Sequence, residues 1–162
     1  MYRRYSASGS LGNIVGTSPG SGVMTSTSKT LINMTSTAAI RPYIYDFTFG
    51  TVGTPSDSVV TLVVTRFGTA SISLGQSVAP SPLDTSDAAA VSAVFQANSV
   101  EGTYGVLLFE VGLNVRATYR WVAAPGGELI AAAGGAVNST LRIGAQSPAY
   151  VLDAAATIYY AE

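Results

Sequence analysis

The chain of 162 residues contains no cysteine, no histidine, one lysine and one tryptophan, and only 10% of it is charged, where about 25% is usual for a soluble domain. Without cysteine there is no disulfide framework and no thiol nucleophile. Without histidine as well, zinc sites of the usual Cys/His kind and the Ser-His-Asp triad are excluded. Eight basic residues against nine acidic ones leave a net charge of −1. No basic patch can form from so few cations, so nucleic acid is not an expected partner. No apolar run of about 20 residues is present to span a bilayer as a helix. The opening Met1-Tyr2-Arg3-Arg4-Tyr5 has the charge of a leader peptide, but Ser and Gly come next rather than an apolar core, so neither export nor a membrane is expected. Asn33-Met34-Thr35 and Asn138-Ser139-Thr140 fit the glycosylation pattern, which carries little weight without export.

What is present is apolar. Hydrophobic residues make up 48% of the chain and the mean hydropathy is +0.36. The length suits one domain with a sizeable core. A charge-poor, greasy chain without a membrane helix must hide apolar surface, partly in its core and partly, by this reading, against other subunits.

Composition divides the chain near residue 36. From Ser6 to Thr30, 16 of 25 residues are Gly, Ser or Thr, and no apolar period persists. Such a segment cannot offset its ordering entropy, about 1–2 kcal/mol per residue, by burying itself. Residues 1–36 are therefore expected to form an arm outside the domain, either a free tail or a segment that orders against a neighbour. It carries a charge of +3, the remainder −4. Tyr2, Arg3, Arg4 and Tyr5 are its candidate contact residues.

Residues 37–162 show a period of two. Tyr43, Tyr45, Phe47 and Phe49 share one strand face in the expected register, with Asp46 on the other. A loop is expected at 50–55. The β-branched run from Ser58 to Phe67 reads as a strand covered on both sides. Further strands are expected at Ala70–Leu74, Tyr104–Val111, Val115–Ala123, Glu128–Ala133, Ser139–Ile143 and Ala154–Ala161. In Val115–Ala123, Tyr119 and Trp121 point one way, Arg116 and Arg120 the other. Ala124-Pro125-Gly126-Gly127 reads as the turn of a hairpin, and Gly134-Gly135 as a break. Pro80-Ser81-Pro82 holds the chain extended. One short helix is expected within Leu83–Gln96, capped by Thr85 or Ser86, with Asp87 in its first turn. About eight strands and at most one helix predict a single all-β domain, a β-sandwich or jelly roll.

The residue types left for catalysis are carboxylates, Ser/Lys and Tyr. The nine acids form no pair that spacing alone can place in one cleft. Lys29, the sole lysine, lies in the arm, a poor support for a Ser/Lys dyad. Asp84 and Asp87 lack the surroundings of a calcium loop, and the glycines make neither a dinucleotide fingerprint nor a P-loop. No catalytic residue, cofactor or metal site is expected. Tyr43, Tyr45 and Phe47 read as core or subunit interface, and Arg116 and Arg120 as solvated or paired with a neighbouring subunit's acids.

Arg41-Pro42-Tyr43-Ile44-Tyr45-Asp46-Phe47, then Tyr119-Arg120-Trp121-Val122-Ala123-Ala124-Pro125-Gly126-Gly127-Glu128-Leu129, and the tyrosine-rich last strand resemble the small head-decoration (cement) proteins of tailed bacteriophages. The resemblance covers about residues 37–162 and lies in texture and segment order. It implies a non-enzymatic β-sandwich forming homotrimers on the outer capsid surface, between capsomers. The major capsid protein would be its partner, and assembly would take place in the host cytoplasm. The alternatives are a jelly-roll major capsid subunit and a carbohydrate-binding module or fibre tip.

Overall fold

The computed structural model describes residues 2–11, 29–36, 40–52, 57–67, 75–98, 101, 104–131, 140–146 and 153–162. Among these residues there is no helix; twelve strands form two antiparallel sheets. The strands are β1 (Arg4–Leu11), β2 (Lys29–Thr35), β3 (Tyr43–Val52), β4 (Val59–Phe67), β5 (Gln76–Val78), β6 (Ser81–Pro82), β7 (Ala93–Gln96), β8 (Tyr104–Asn114), β9 (Tyr119–Val122), β10 (Leu129–Ile130), β11 (Leu141–Gln146) and β12 (Asp153–Ala161). The first sheet runs β10-β3-β12-β1-β6, with β9 also on β3; the second runs β5-β7-β2-β11-β4-β8. The pairing is nested: β1 with β12, β2 with β11, β3 with β9 and β10, β4 with β8. One core lies between the sheets. In it Phe47 stacks on Trp121 at 5.3 Å and Phe109 at 6.0 Å, and Tyr5 stacks on Tyr160 at 5.4 Å. The β-sandwich expected from the period of two is the architecture found.

Five local expectations are corrected. Arg4–Leu11 and Lys29–Thr35, assigned by composition to an external arm, are interior strands, one in each sheet. Their ladders to β12 and β11 supply the hydrogen bonds, and Tyr5, Ala7, Leu31, Ile32 and Met34 supply the buried face. Gly9 fits where a Cβ would strike the Leu31 carbonyl and Ile32, so its lack of a side chain lets the two sheets approach.

The helix expected in Leu83–Gln96 does not form. Leu83 N–H instead donates to Arg4 O at 2.8 Å, extending the β1–β6 pairing. Asp84, not Thr85 or Ser86, organises the turn: its Oδ1 accepts from Ser86 N–H (2.9 Å) and Oγ (2.6 Å). The Glu162 carboxylate accepts from Val91 N–H (2.6 Å) and Ser92 N–H (3.0 Å), and Ala93–Gln96 pairs with β2 and β5. Tertiary hydrogen bonds here outweigh the small helix preference of an alanine triplet.

Ala124–Gly127 is a turn, closed by Gly127 N–H to Ala124 O at 2.8 Å, with Pro125 second and Gly126 at φ 81° third. It is not a hairpin turn: β9 and β10 both pair with β3, so the loop is an excursion from one interrupted edge strand. Of Val115–Ala123, only Tyr119–Val122 is strand; residues 115–118 lead from the second sheet to the first.

The fourth concerns the aromatic face. The β3–β12 register shifts so that Asp46 faces Tyr159 while Ile44 faces Tyr160, leaving Tyr45 as the extra residue of a bulge. The side-chain phase inverts there. Ile44, Phe47 and Phe49 point into the core, and Tyr43 and Tyr45 point outward. The fifth is the loop expected at 50–55: Gly50, Thr51 and Val52 continue β3, and 53–55 lie outside the described residues, as do the strand expected at 70–74, the Gly134-Gly135 break and residues 12–28 of the arm.

Candidate interaction surface

The bulge in β3 decides what the first sheet presents to its surroundings. Tyr43 and Tyr45 stand outward beside Arg4 of β1, separated by β12, where the short Ala161 faces both Arg4 and Tyr43 across the ladders. Tyr2 packs edge-on against Tyr43, ring centroids 5.5 Å apart, and the Arg4 guanidinium lies 5.8 Å from the Tyr45 ring centre. Burial pushes the Tyr43 and Tyr45 phenols above the ordinary tyrosine value, so both are neutral donors at physiological pH. Next along the face, Arg120 of β9 forks onto Asp46: Nε donates at 3.1 and 3.2 Å and Nη2 at 2.5 Å. Asp46 is nearly buried while Arg120 is 64% exposed. The hydrogen bonds and charge of Asp46 raise the pKa of Arg120 further above neutrality.

At one end of this face the turn Asp84–Asp87 approaches β1 and β3. Tyr2, Arg4, Tyr43, Leu83, Asp84, Ser86 and Asp87 enclose a half-open cleft of about 650 Å³. Its walls are held by backbone. Arg3 and Glu162 exchange N–H···O bonds, Leu83 is bonded to Arg4, and Asp87 N–H donates to Asp84 O at 3.0 Å. The two hydrogen bonds from Ser86 hold the Asp84 carboxyl below its ordinary pKa, so it stays an anion.

The structure thus brings together Tyr2, Arg4, Tyr43 and Tyr45, drawn from two segments that composition had separated. It removes two candidates: Tyr5 and Phe47 are fully buried core residues, closed to any partner. Arg3 stays beside the cleft, its backbone engaged with Glu162. Arg116 and Arg120 take acids of their own chain. Arg116 Nε lies 3.0 Å from Asp57, an exposed pair on the surface.

Sequence reasoning missed two features. One is the contribution of Leu83, Asp84, Ser86 and Asp87 to the cleft; the Pro80-Ser81-Pro82 run, which disfavours an early helix, was the available signal. The other is a buried polar cluster on the outward side of the second sheet. The fully buried Arg142 donates from Nε to Thr30 Oγ1 at 2.7 Å and lies 3.6 Å from Glu101. Thr30 donates from N–H (2.7 Å) and Oγ1 (2.5 Å) to Glu101. Asn98 joins through Thr30 Oγ1 at 3.3 Å and Asn33 at 2.5 Å.

Among the described residues β8 ends one sheet and β9 the other, and these two edges lie together because β8 packs over β3 and β9 through Phe109, Phe47 and Tyr119. On the described part of these edges Val106 and Leu107 of β8 are 60% and 53% exposed, and Val122 of β9 is 59% exposed. Among the described residues the eleven-residue β8 pairs only with β4, and it carries a single charge, Glu110. Among the described residues no three acidic side chains converge as a metal site, and no helix is long and apolar enough to cross a membrane. Comparisons with models of known protein families, with curated proteins and with solved structures find no match to this chain.

Proposed function

We propose that the chain is a structural assembly subunit of a virion, a capsid-decorating protein that works as a homotrimer on a shell of major capsid protein. The observation that carries this reading is a pair of sheet edges on one side of the sandwich that no described strand covers, with Val106, Leu107 and Val122 exposed along them. A long edge strand with one charge is a ready template for another chain, and soluble monomers normally blunt such edges. The bulges in the β4–β8 ladder twist the edge locally but leave its apolar side chains in water. Burial against a sister subunit would remove that surface at about 25 cal/mol per Å², before association costs.

The nested pairing supports the same reading. The order β1-β12-β3-β9 facing β2-β11-β4-β8 fits a jelly-roll reading, in which β5, β6 and β7 would be an insertion between the fourth and fifth strands. Jelly rolls build virus coats and lectins.

The test is the mass in solution by light scattering at tens of micromolar, then co-sedimentation with shells of the major capsid protein. A trimer is expected, reduced towards the 16.6 kDa protomer by Leu107→Lys or Val106→Glu. A folded protomer that neither self-associates nor sediments with shells would overturn the proposal.

A further inference from the structure

We propose that the cleft between the Tyr2–Tyr43 corner and the Asp84–Asp87 turn is a binding site for an uncharged saccharide. Its lining combines what a sugar requires. Tyr2 is 73% exposed and perpendicular to Tyr43, so the two rings form a corner against which the aliphatic face of a pyranose can pack. In the same lining Asp84 and Asp87 offer carboxylate acceptors, Ser86 a hydroxyl, and Arg4 a fork of donors. Vicinal hydroxyls of a sugar both donate and accept, and they match this mixed wall. Leu83, half exposed, adds an apolar edge.

Charge narrows the ligand class. Two carboxylates repel a phosphate or an acidic sugar, and Arg4 in the same wall opposes a lysine or arginine side chain entering between them. A neutral polyol meets neither penalty. The volume of about 650 Å³ falls within the range of small-molecule sites.

The site is also built in advance of any ligand. Asp84 has one oxygen fixed by two bonds from Ser86. Arg4 is set over Tyr45 at 5.8 Å and is tied to Leu83 by backbone. Tyr43 is fixed by the β3–β12 and β3–β10 ladders. Side chains ordered beforehand lose less entropy on binding. The cleft lies on the first sheet's outward face and uses neither Val106, Leu107 nor Val122, so the inference is independent of the assembly reading.

The experiment is affinity electrophoresis of the full chain through gels holding neutral polysaccharides: a β-glucan, a galactomannan, a xylan and a dextran. Tetralysine binding is measured in parallel by calorimetry at low and high salt. Retention by at least one polysaccharide is expected, with a loss of at least tenfold in apparent affinity for both Tyr43→Ala and Asp84→Asn. Val52→Ser, exposed at the opposite end of β3 from Tyr43 and outside both the cleft and the proposed subunit edge, should leave it unchanged, and circular dichroism should show all three variants folded. No retention on any of the four gels would overturn the proposal. So would retention that survives both cleft substitutions, or salt-sensitive tetralysine binding without glycan retention. The last result would assign the cleft to a cationic peptide.

Discussion

Each sheet carries an arginine–carboxylate pair on its outward side, and the two pairs have opposite physical settings. On the first sheet Arg120 reaches over to Asp46 from a largely solvated position, 64% exposed. On the second, Arg142 is fully buried and is joined to Glu101, Thr30 and, through Thr30, Asn98. The first pair decorates a ladder that its neighbours already hold together. The second fastens residues that are distant in sequence: Thr30 and Asn33 of β2, Arg142 of β11, and Asn98 and Glu101. The same chemistry is therefore peripheral in one place and structural in the other, because one pair has its cation in solvent and the other is enclosed almost wholly by protein.

The largest expected effect comes from dismantling the buried cluster. Arg142→Ala leaves Glu101 without its cation in a water-poor site, and should cost about 3–5 kcal/mol in urea unfolding. Replacing both partners, Arg142→Met with Glu101→Leu, should recover much of that loss, because no lone charge is then left behind. A single variant no worse than the double would show that the cluster is more solvated than its burial indicates.

Gly144→Ala probes the same cluster by shape. An added Cβ would collide with the Arg142 guanidinium, which lies across the glycine. Displacing it is expected to cost about 1–3 kcal/mol, read from the same unfolding curves.

Tyr160 extends the comparison to a neutral buried group. Burial, with a smaller contribution from Glu162, raises its pKa well above the ordinary tyrosine value. Because the folded pKa is the higher one, the associated stability is fully present below about pH 10 and is lost as pH rises through the folded value. The Tyr160 hydroxyl has no hydrogen-bond partner among the described residues. Tyr160→Phe should therefore be close to neutral at pH 7 and should delay alkaline unfolding, measured by circular dichroism between pH 8 and 12.

The smallest effect belongs to Arg120→Ala. The unfolding midpoint should barely move at low salt and not at all in 1 M NaCl, where screening is complete over a few ångströms. A large salt-independent loss would place this pair in the same class as Arg142.

How much of the fold is legible in the sequence depends on how local each signal is. Alternation in Ala154–Ala161 is a property of the strand itself, so this element and the β-sandwich class could be read directly; Tyr104–Val111 could be read as a strand but not its faces, since Val106 and Leu107 are both exposed while Leu108 and Phe109 both pack on the core. Pro125-Gly126 marks its turn for the same reason. The bulge at Tyr45 could not be read, since it depends on the register with β12, and one extra residue reverses which tyrosines and phenylalanines face the core. β1 and β2 escaped because serine, threonine and glycine have weak strand preference; their order comes from partners more than a hundred residues away. The candidate site was half visible. Tyr2, Arg4 and Tyr43 were singled out, but their meeting with Asp84 and Asp87 rests on the pairing of Leu83 with Arg4 and not on spacing.

The Pro125-Gly126 excursion has a practical consequence. The strand edge leaves β3 after Val122 and rejoins it at Leu129, with Ala123 N–H bonded to Tyr45 O and Ala131 N–H to Pro42 O on either side. Both ends of the loop are thus anchored to one continuous neighbour, and the loop's length does not set the alignment of β10 or of the strands beyond it. A foreign epitope spliced between Gly126 and Gly127 would be displayed outside the sandwich without altering how its strands align.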